Sequence, residues 1–244
     1  MLLPESFESR ICVKRGGIAI LFLQENNLFL LLTLATAFTF VWLLLIRDRM
    51  RIPWLAALGL SLLHVAVGLL CVKVFAFLEG ADSGARSLFG AVFFMPMAYA
   101  LGAKLSGRKA ADVFDIFAVC MIFTLFCARI SCLITGCCQG RMIPGLEPHR
   151  WPTREAELIF YVVFLAAVIP RVWKGKSNGQ VYPLYMMIYG LTRFLLEFFR
   201  DNGTRQVFHL AHLWALLSFI LGFVIVSEIK RHHGFPHARK REMR

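Results

Sequence analysis

The sequence predicts an all-α fold, a polytopic membrane bundle of about seven transmembrane helices that forms one domain over residues 1–244. Of the 244 residues, 58% are hydrophobic and 17% are charged, and the mean hydropathy is +0.65, outside the range of soluble globular domains. Apolar runs of about 20 residues alternate with short polar segments, which is the spacing that a bilayer requires. No internal repeat or linker divides the chain.

The elements follow from these runs in order. Residues 1–26 combine three basic residues with an apolar run too short to cross a bilayer, so we expect an interfacial amino-terminal segment rather than a signal peptide. The predicted spans cover residues 28–46, 54–78, 87–103, 113 into the segment 128–141, 156–172, 181–199 and 208–229. Residues 230–244 form a basic tail.

The basic residues predict the orientation. The first, third and fifth loops carry three Lys or Arg each and the tail six, whereas the amino-terminal segment and the even-numbered loops together carry nine. Because the cytoplasmic side carries the excess of positive charge, the amino terminus should lie outside and the carboxyl terminus in the cytoplasm. This pattern accounts for the net charge of +12, so no nucleic-acid partner is expected.

One segment carries an arginine into an apolar helix. In ARISCLITGCCQGR, residues 128–141, Arg129 follows an apolar run and precedes a glycine- and cysteine-rich stretch. An ionisable side chain inside a span is costly unless it is paired or solvated, which marks Arg129 as a candidate functional residue. Glu157, at the start of the fifth span, is the best protein partner for it. Glu157 could neutralise Arg129 or only position it for an anionic ligand.

A second segment, YGLTRFLLEFFR at residues 189–200, repeats the pattern. Arg193 and Glu197 are four residues apart and share one helical face. The pair could be purely structural, or Glu197 could orient a guanidinium fork towards a cavity. Arginine matches the oxygens of a phosphate bidentately, so two buried arginines suggest an anion site.

The residues around the first motif leave several interpretations open. Gly136 and Gly140 bracket Cys137 and Cys138 and suit a helix cap or a close approach to a ligand. The adjacent cysteines could be packed, disulfide-bonded or catalytic, and packing or a loop disulfide is favoured. The seven cysteines show no C-x-x-C pair or partnered histidine, so neither a metal nor another cofactor is expected. None of His64, His149, His209 and His212 stands out as a general base.

Taken together, the motifs resemble the prolipoprotein diacylglyceryl transferases of bacterial plasma membranes. The resemblance covers about half the chain and is weak at Gly102. It is carried by four blocks in order: R-x-x-C-x-x-x-G-x-x-x-G from Arg129, RWPTREAE at 150–157, GQV at 179–181, and Y-G-x-x-R-x-x-x-E-F-F-R from Tyr189 to Arg200.

The resemblance implies a multi-pass enzyme of the bacterial plasma membrane. Its reaction would move a diacylglyceryl group from phosphatidylglycerol to the cysteine thiol of a prolipoprotein signal peptide, releasing glycerol phosphate. Arg129 and Arg193 would hold the phospholipid head group with support from Glu197, and Gly140 would be required. Gly136, Glu157, Tyr189 and Arg200 would complete the substrate site.

The sequence also departs from the family pattern. Family enzymes carry a histidine in an H-G-G motif on the third span, proposed to deprotonate the thiol, and Phe89 stands in its place. Cys132 and Cys137 replace an asparagine and a glutamate, and a tyrosine expected early in the first span is missing. The Gly-Cys-Cys version resembles a divergent branch of the family. Two alternatives therefore stay open: the same donor with a different acceptor, or a non-catalytic phospholipid-binding or transport bundle.

Overall fold

The apolar runs form helices in a computed structural model that describes residues 17–80, 87–201 and 208–234, with side chains described between residues 26 and 231 of these ranges. There is no strand among these residues, only two isolated β-bridges. The eight helices are α1 (Gly17–Leu45), α2 (Arg47–Met50), α3 (Trp54–Leu78), α4 (Phe89–Ser106), α5 (Ala110–Thr135), α6 (Thr153–Trp173), α7 (Val181–Glu197) and α8 (Leu210–Gly234).

Six of these helices are long and apolar enough to cross a membrane: α1, α3, α4, α5, α6 and α8. The seventh predicted span is α7, whose 17 residues would extend about 26 Å and lie at the lower limit for a spanning helix. The outward surface is rich in large apolar side chains such as Phe29, Phe77 and Leu105, as expected for a lipid-facing bundle. The predicted all-α membrane architecture is confirmed.

Two predicted elements extend beyond the residues that the structure describes. The expected interfacial segment 1–26 overlaps α1, which already begins at Gly17, while residues 1–16 lie outside the described part of the chain. The predicted basic tail begins within α8, and its residues 235–244 likewise lie outside.

Helix α5 is the most deeply buried of the six long helices and packs against α1, α4, α6 and α7. Close helix approach depends on small residues, as is usual in membrane bundles. A Cβ on Gly190 would lie 2.6 Å from the carbonyl oxygen of Ala215, and one on Gly222 would lie 2.5 Å from the amide nitrogen of Met187. These two glycines therefore let α7 and α8 pack backbone to backbone.

A buried carboxylate fixes the start of α7. Oδ2 of Asp115, in α5, accepts a hydrogen bond of 2.6 Å from the amide of Gly179, and Oδ1 accepts one of 3.0 Å from Val181. An acidic group is favourable at a helix amino terminus, where backbone amides lack partners. Asp115 therefore sets the position of α7 relative to α5, and with it the position of the α7 residues at the opposite end.

Candidate active site

The antiparallel course of α5, α6 and α7 brings three charged residues to the same end of the bundle. Arg129 lies six residues before the end of α5, Glu157 lies four residues after the start of α6, and Arg193 lies four residues before the end of α7. At 1.5 Å per residue, these offsets place all three side chains within about 6–9 Å of that end. Each of them is buried.

Glu157 joins the two arginines. Its Oε1 accepts a hydrogen bond of 2.8 Å from Nη1 of Arg193, and its Oε2 is in direct contact with Nε of Arg129. The two guanidinium groups therefore converge on one carboxylate, although they belong to helices far apart in sequence. Glu157 pairs with both arginines, an arrangement that the sequence left open.

The network continues towards the helix end. Nη2 of Arg193 lies 2.8 Å from Oε2 of Glu197, which lies 3.7 Å from Nη1 of Arg200. Glu197 therefore pairs with Arg193, and Arg200 forms the last member of the network. Among the described residues, three guanidinium groups against two carboxylates leave this network one positive charge in excess.

The exposure of the individual residues shows where in the network this excess charge lies. Arg129, Glu157, Arg193 and Glu197 expose only 4, 4, 6 and 2% of their surface. Removing charges from water costs several kcal/mol per ion, and an imbalance of charge is expensive at such burial. The two carboxylates balance the two arginines at this depth, so the positive charge in excess lies on the partly exposed Arg200, where an anion could approach the network.

The loop after α5 closes over the end of α7. Gly136 ends α5 with a φ of +70°, a left-handed conformation that glycine adopts without strain. Gly140 then forms a β-bridge with Arg200, in which the Arg141 amide donates to the Phe199 carbonyl at 2.7 Å. This loop is thereby tied to the helix end that carries Glu197.

Gly140 has no room for a side chain. A Cβ at this position would lie 2.1 Å from the carbonyl oxygen of Trp151, much closer than any real contact. The carbonyl of Gly140 accepts a hydrogen bond of 3.1 Å from Nη1 of Arg150, which also binds Oδ2 of Asp201 at 3.1 Å. Gly140 is therefore the crossing point of two loops.

A cavity of about 850 Å³ lies beside the charged network. Its lining includes Arg129, Arg193, Glu197 and Arg200 together with apolar side chains such as Leu31 of α1 and Leu69 of α3. Apolar walls with a few converging polar groups are typical of a small-molecule site. The two arginines share this one cavity, as the sequence predicts.

Aromatic side chains separate the arginines from the apolar core. Tyr189, fully buried in α7, stacks on Tyr185 with ring centroids 5.2 Å apart and lies 6.0 Å from the ring of Phe89. Tyr189 and Phe89 both line the cavity. Phe89 therefore occupies the wall of the site, where it can shape the cavity but cannot accept a proton.

Three thiols gather at the mouth of the cavity. The Sγ atoms of Cys132, Cys137 and Cys138 all lie within 4.8 Å of one another. A hydrogen bond from Cys132, aided by the charge of Arg129, lowers the pKa of the Cys138 thiol to about 6 against the opposing effect of burial. The six cysteines in the described part of the chain are free thiols and Cys137 is exposed, so neither the loop disulfide nor core packing describes the adjacent pair.

None of the described histidines belongs to the charged network or to the thiol cluster, although one of them lines the cavity. His64 lines the cavity beside the backbone of Cys120, about 14 Å along α5 from Arg129. His149 is exposed and its Nδ1 lies 2.9 Å from the carbonyl of Leu146. His212 is buried against the ring of Phe198, with centroids 4.6 Å apart.

The structure thus brings together the predicted residues Arg129, Glu157, Tyr189, Arg193, Glu197 and Arg200, and places Gly136 and Gly140 in the adjoining loop. Sequence reasoning missed Asn27, which accepts a hydrogen bond of 2.6 Å from Ser131 at the cavity wall. It also missed the convergence of Cys132 with the adjacent pair. A spacing of five and six residues across a helix end fits no standard ligand motif, so only the fold shows this convergence.

Fold and site together define a multi-pass helical membrane protein with a cavity lined by buried arginines. The sequence profile of the prolipoprotein diacylglyceryl transferase family matches residues 33–227. The chain belongs to this family.

Individual relatives agree with this assignment. The chain is 24% identical over 161 residues to phosphatidylglycerol–prolipoprotein diacylglyceryl transferase 2 of Clostridium perfringens, covering 60% of this chain and 63% of that protein. It is 23% identical over 157 residues to the enzyme of Clostridium tetani, covering 57% and 62%, and 31% identical over 136 residues to that of Methylibium petroleiphilum, covering 48% and 50%. The matched part thus spans less than two thirds of the length of each of these curated relatives.

Proposed function

We propose that this protein transfers a diacylglyceryl group from phosphatidylglycerol to the cysteine thiol of a prolipoprotein signal peptide in the bacterial plasma membrane. The observation that carries the proposal is the convergence of Arg129 and Arg193 on Glu157 at the polar end of a cavity with apolar walls. Relatives named for this reaction support the choice of donor and acceptor.

The donor would lie with its phosphate against the arginines. A phosphodiester carries one negative charge, which offsets the one positive charge in excess on the network. Leu31, Leu32 and Leu69 would face the start of the lipid chains. The cavity would thus hold a phospholipid at the junction of its head group and its tails.

The chemical step is a displacement at the glyceryl carbon. The acceptor sulfur forms a bond to that carbon while the carbon–oxygen bond to phosphate breaks and the oxygen leaves with the electron pair. The departing glycerol phosphate thereby gains a second negative charge. Guanidinium groups fixed in a site of low dielectric stabilise this developing charge, which is a major source of catalysis in enzymes.

Complementation tests the proposal directly. Cells depleted of their own transferase would receive the wild-type gene or one of two variants, Arg129→Lys and Arg231→Lys. Arg231 is an exposed residue of α8 that pairs with Glu228 and does not line the cavity, so it serves as the matched control. We expect lipoprotein maturation with the wild type and with Arg231→Lys, but not with Arg129→Lys.

A purified-protein assay separates the alternatives. Phosphatidylglycerol and a lipobox peptide would be supplied in vesicles, and both the lipidated peptide and free glycerol phosphate would be measured. Release of glycerol phosphate without lipidated peptide would indicate a different acceptor. Binding of phosphatidylglycerol without release would indicate a non-catalytic lipid-binding bundle, and either result would overturn the proposal.

A further inference from the structure

The three clustered thiols form a second constellation beside the arginines. Cys132 lies in the last turn of α5, and Cys137 and Cys138 lie in the turn that follows Gly136. Cys138 has a φ of +57°, a left-handed conformation that residues other than glycine seldom adopt. This conformation belongs to the turn that gathers the three sulfurs within 4.8 Å.

Neither packing nor a disulfide accounts for the cluster. Cys137 is exposed and the described cysteines are unbridged, whereas Cys71, Cys120 and Cys127 are buried among apolar side chains in the ordinary way. All three clustered cysteines line the cavity that Arg129 and Arg193 also line. The cluster is therefore part of the space where substrate would react.

Three converging thiols match the preference of a thiophilic cation. Zn²⁺ binds thiolates at about 2.3 Å in tetrahedral geometry, which requires sulfurs roughly 3.8 Å apart. The observed separations reach this value with shifts of about 1 Å or less, within the range of side-chain rotation. Three thiolates around Zn²⁺ carry one net negative charge, and Arg129 and Arg193, which line the same cavity, carry charge of the opposite sign.

We propose that Cys132, Cys137 and Cys138 bind a Zn²⁺ ion whose fourth position takes the acceptor thiol. Zinc sites with three protein ligands keep one position for water or substrate, whereas structural sites are closed by a fourth protein ligand. Within the described part of the chain, no fourth Cys, His, Asp or Glu joins the group. All three cysteines line the cavity that the arginines line, so a signal-peptide cysteine in that cavity could reach both the metal and the donor.

This inference rests on the proposed function and supplies its missing step. A thiol that binds a metal is deprotonated, so the acceptor would lose its proton to solvent on entering the fourth position. The zinc-bound sulfur then uses its electron pair to bond the glyceryl carbon, and glycerol phosphate leaves with the pair of the broken carbon–oxygen bond. The thioether product is neutral and binds zinc weakly, which releases it. Zinc thereby performs the activation that Phe89 cannot.

The reference pKa of a free thiol gives the size of the rate effect expected from the metal. A free thiol with a pKa of about 8.5 is only about 3% ionised at pH 7, so complete ionisation raises the reactive fraction about 30-fold. We therefore expect loss of the metal to slow lipidation by up to about 30-fold at pH 7.

Metal content provides a test that does not depend on activity. The full-length protein, purified in detergent, would be compared with Cys132→Ser, Cys137→Ser, Cys138→Ser and Cys120→Ser by elemental analysis and by thermal unfolding. Cys120 is the matched control because it lies on the same helix, is fully buried and does not line the cavity. We expect about one zinc per chain in the wild type and in Cys120→Ser, and little zinc in the other three. Cys137→Ser is the decisive variant because an exposed side chain can change without unfolding the bundle.

Cobalt substitution tests the fourth position. The Co²⁺-loaded protein should show sulfur-to-cobalt charge-transfer absorption, and a lipobox peptide with cysteine should alter the visible spectrum while the same peptide with serine should not. A wild-type protein without zinc, or serine variants that retain it, would overturn the site. If the cysteine peptide leaves the cobalt spectrum unchanged, the metal does not bind the acceptor thiol and that part of the proposal is wrong.

A lipidation assay with and without a chelator distinguishes failure of this inference from failure of the proposed function. If chelator-treated protein lipidates peptide as fast as the untreated protein, the transferase proposal stands and the zinc step is wrong. If zinc is bound stoichiometrically and the cobalt spectrum responds to the cysteine peptide, but no lipidated product forms, the site stands and the transferase proposal fails. Loss of lipidation on chelation, with recovery on adding Zn²⁺, supports both.

Discussion

Oε1 of Glu157 accepts a hydrogen bond of 2.8 Å from Nη1 of Arg193, joining the start of α6 to the end of α7. The same carboxylate contacts Arg129 of α5, so one side chain holds two guanidinium groups at one depth in the bundle. This geometry makes the two arginines a single unit. Their contribution to function should therefore depend on shape and placement as well as on charge.

The shape requirement predicts that lysine cannot replace either arginine. Arg129→Lys and Arg193→Lys keep the charge, but an ammonium group cannot contact Glu157 and a phosphate with the same planar fork. We expect each variant to lose about 10²-fold or more in kcat/KM for lipidation, the loss typical of removing one preorganised donor. Arg231→Lys, on the exposed face of α8, should retain wild-type kinetics. Near-parental turnover by either lysine variant would show that charge alone suffices.

The placement requirement predicts that Glu157 is needed for folding as well as function. Glu157→Gln leaves two buried arginines with only Glu197 to offset them, and breaking a buried ion pair by removing one partner costs about 3–5 kcal/mol. We expect a clearly lower unfolding temperature together with lost lipidation. Glu155→Gln, two residues away with a half-exposed side chain, is the control and should unfold like the wild type. Equal unfolding temperatures for the two variants would contradict the structural role of Glu157.

The loop crossing predicts a steric effect at Gly140. In Gly140→Ala the new Cβ would lie 2.1 Å from the Trp151 carbonyl, so the two loops must separate. Because this contact lies in loops at the end of the bundle, we expect loss of most lipidation with only a small change in unfolding temperature. Gly102→Ala is the matched control, since nothing lies within 4 Å of its added Cβ. If Gly140→Ala lipidates as fast as Gly102→Ala, the crossing is not required for the reaction.

A large part of the fold and of the candidate site could be predicted from the sequence, for identifiable reasons. Hydrophobic length defines spanning helices, because every backbone polar group in lipid must be satisfied within a helix. Burying an arginine in such a helix costs free energy, so its presence there indicates a functional site. Arg129 and Arg193 could therefore be found without a structure. Glu157 could be named as a partner, but its contact with both arginines depends on side-chain geometry across three helices.

The remaining features depend on tertiary contacts. Asp115 looked like an ordinary acidic residue near a helix start, yet it caps α7 across the bundle. The thiol cluster brings together a helix residue and a turn residue in a left-handed conformation, and no spacing rule describes that combination. Both features need the relative positions of helices, which hydrophobic periodicity does not encode.

The absence of a histidine from the described thiol cluster leads to the last prediction. His64, on α3, lies beside the backbone of Cys120, which is about 14 Å from Arg129 along α5. His149 is exposed on a loop, and His212 is packed against Phe198. The amide of His209 donates to Nδ1 of His212 at 3.2 Å, which indicates a local structural role for that pair. None of these residues is among those that converge with Cys132, Cys137 and Cys138.

Replacing His64, His149, His209 and His212 one at a time by glutamine should therefore leave lipidation measurable in every variant. We expect rates within about threefold of the wild type for His149→Gln, and smaller amounts of folded protein for the two buried positions, His64 and His212. General-base catalysis contributes about 10²–10⁴-fold, so loss of a true base would be unmistakable. Rates must be normalised to folded protein and to phosphatidylglycerol binding. A single histidine whose loss abolishes lipidation, while folding and phospholipid binding persist, would show that a histidine base acts from another helix.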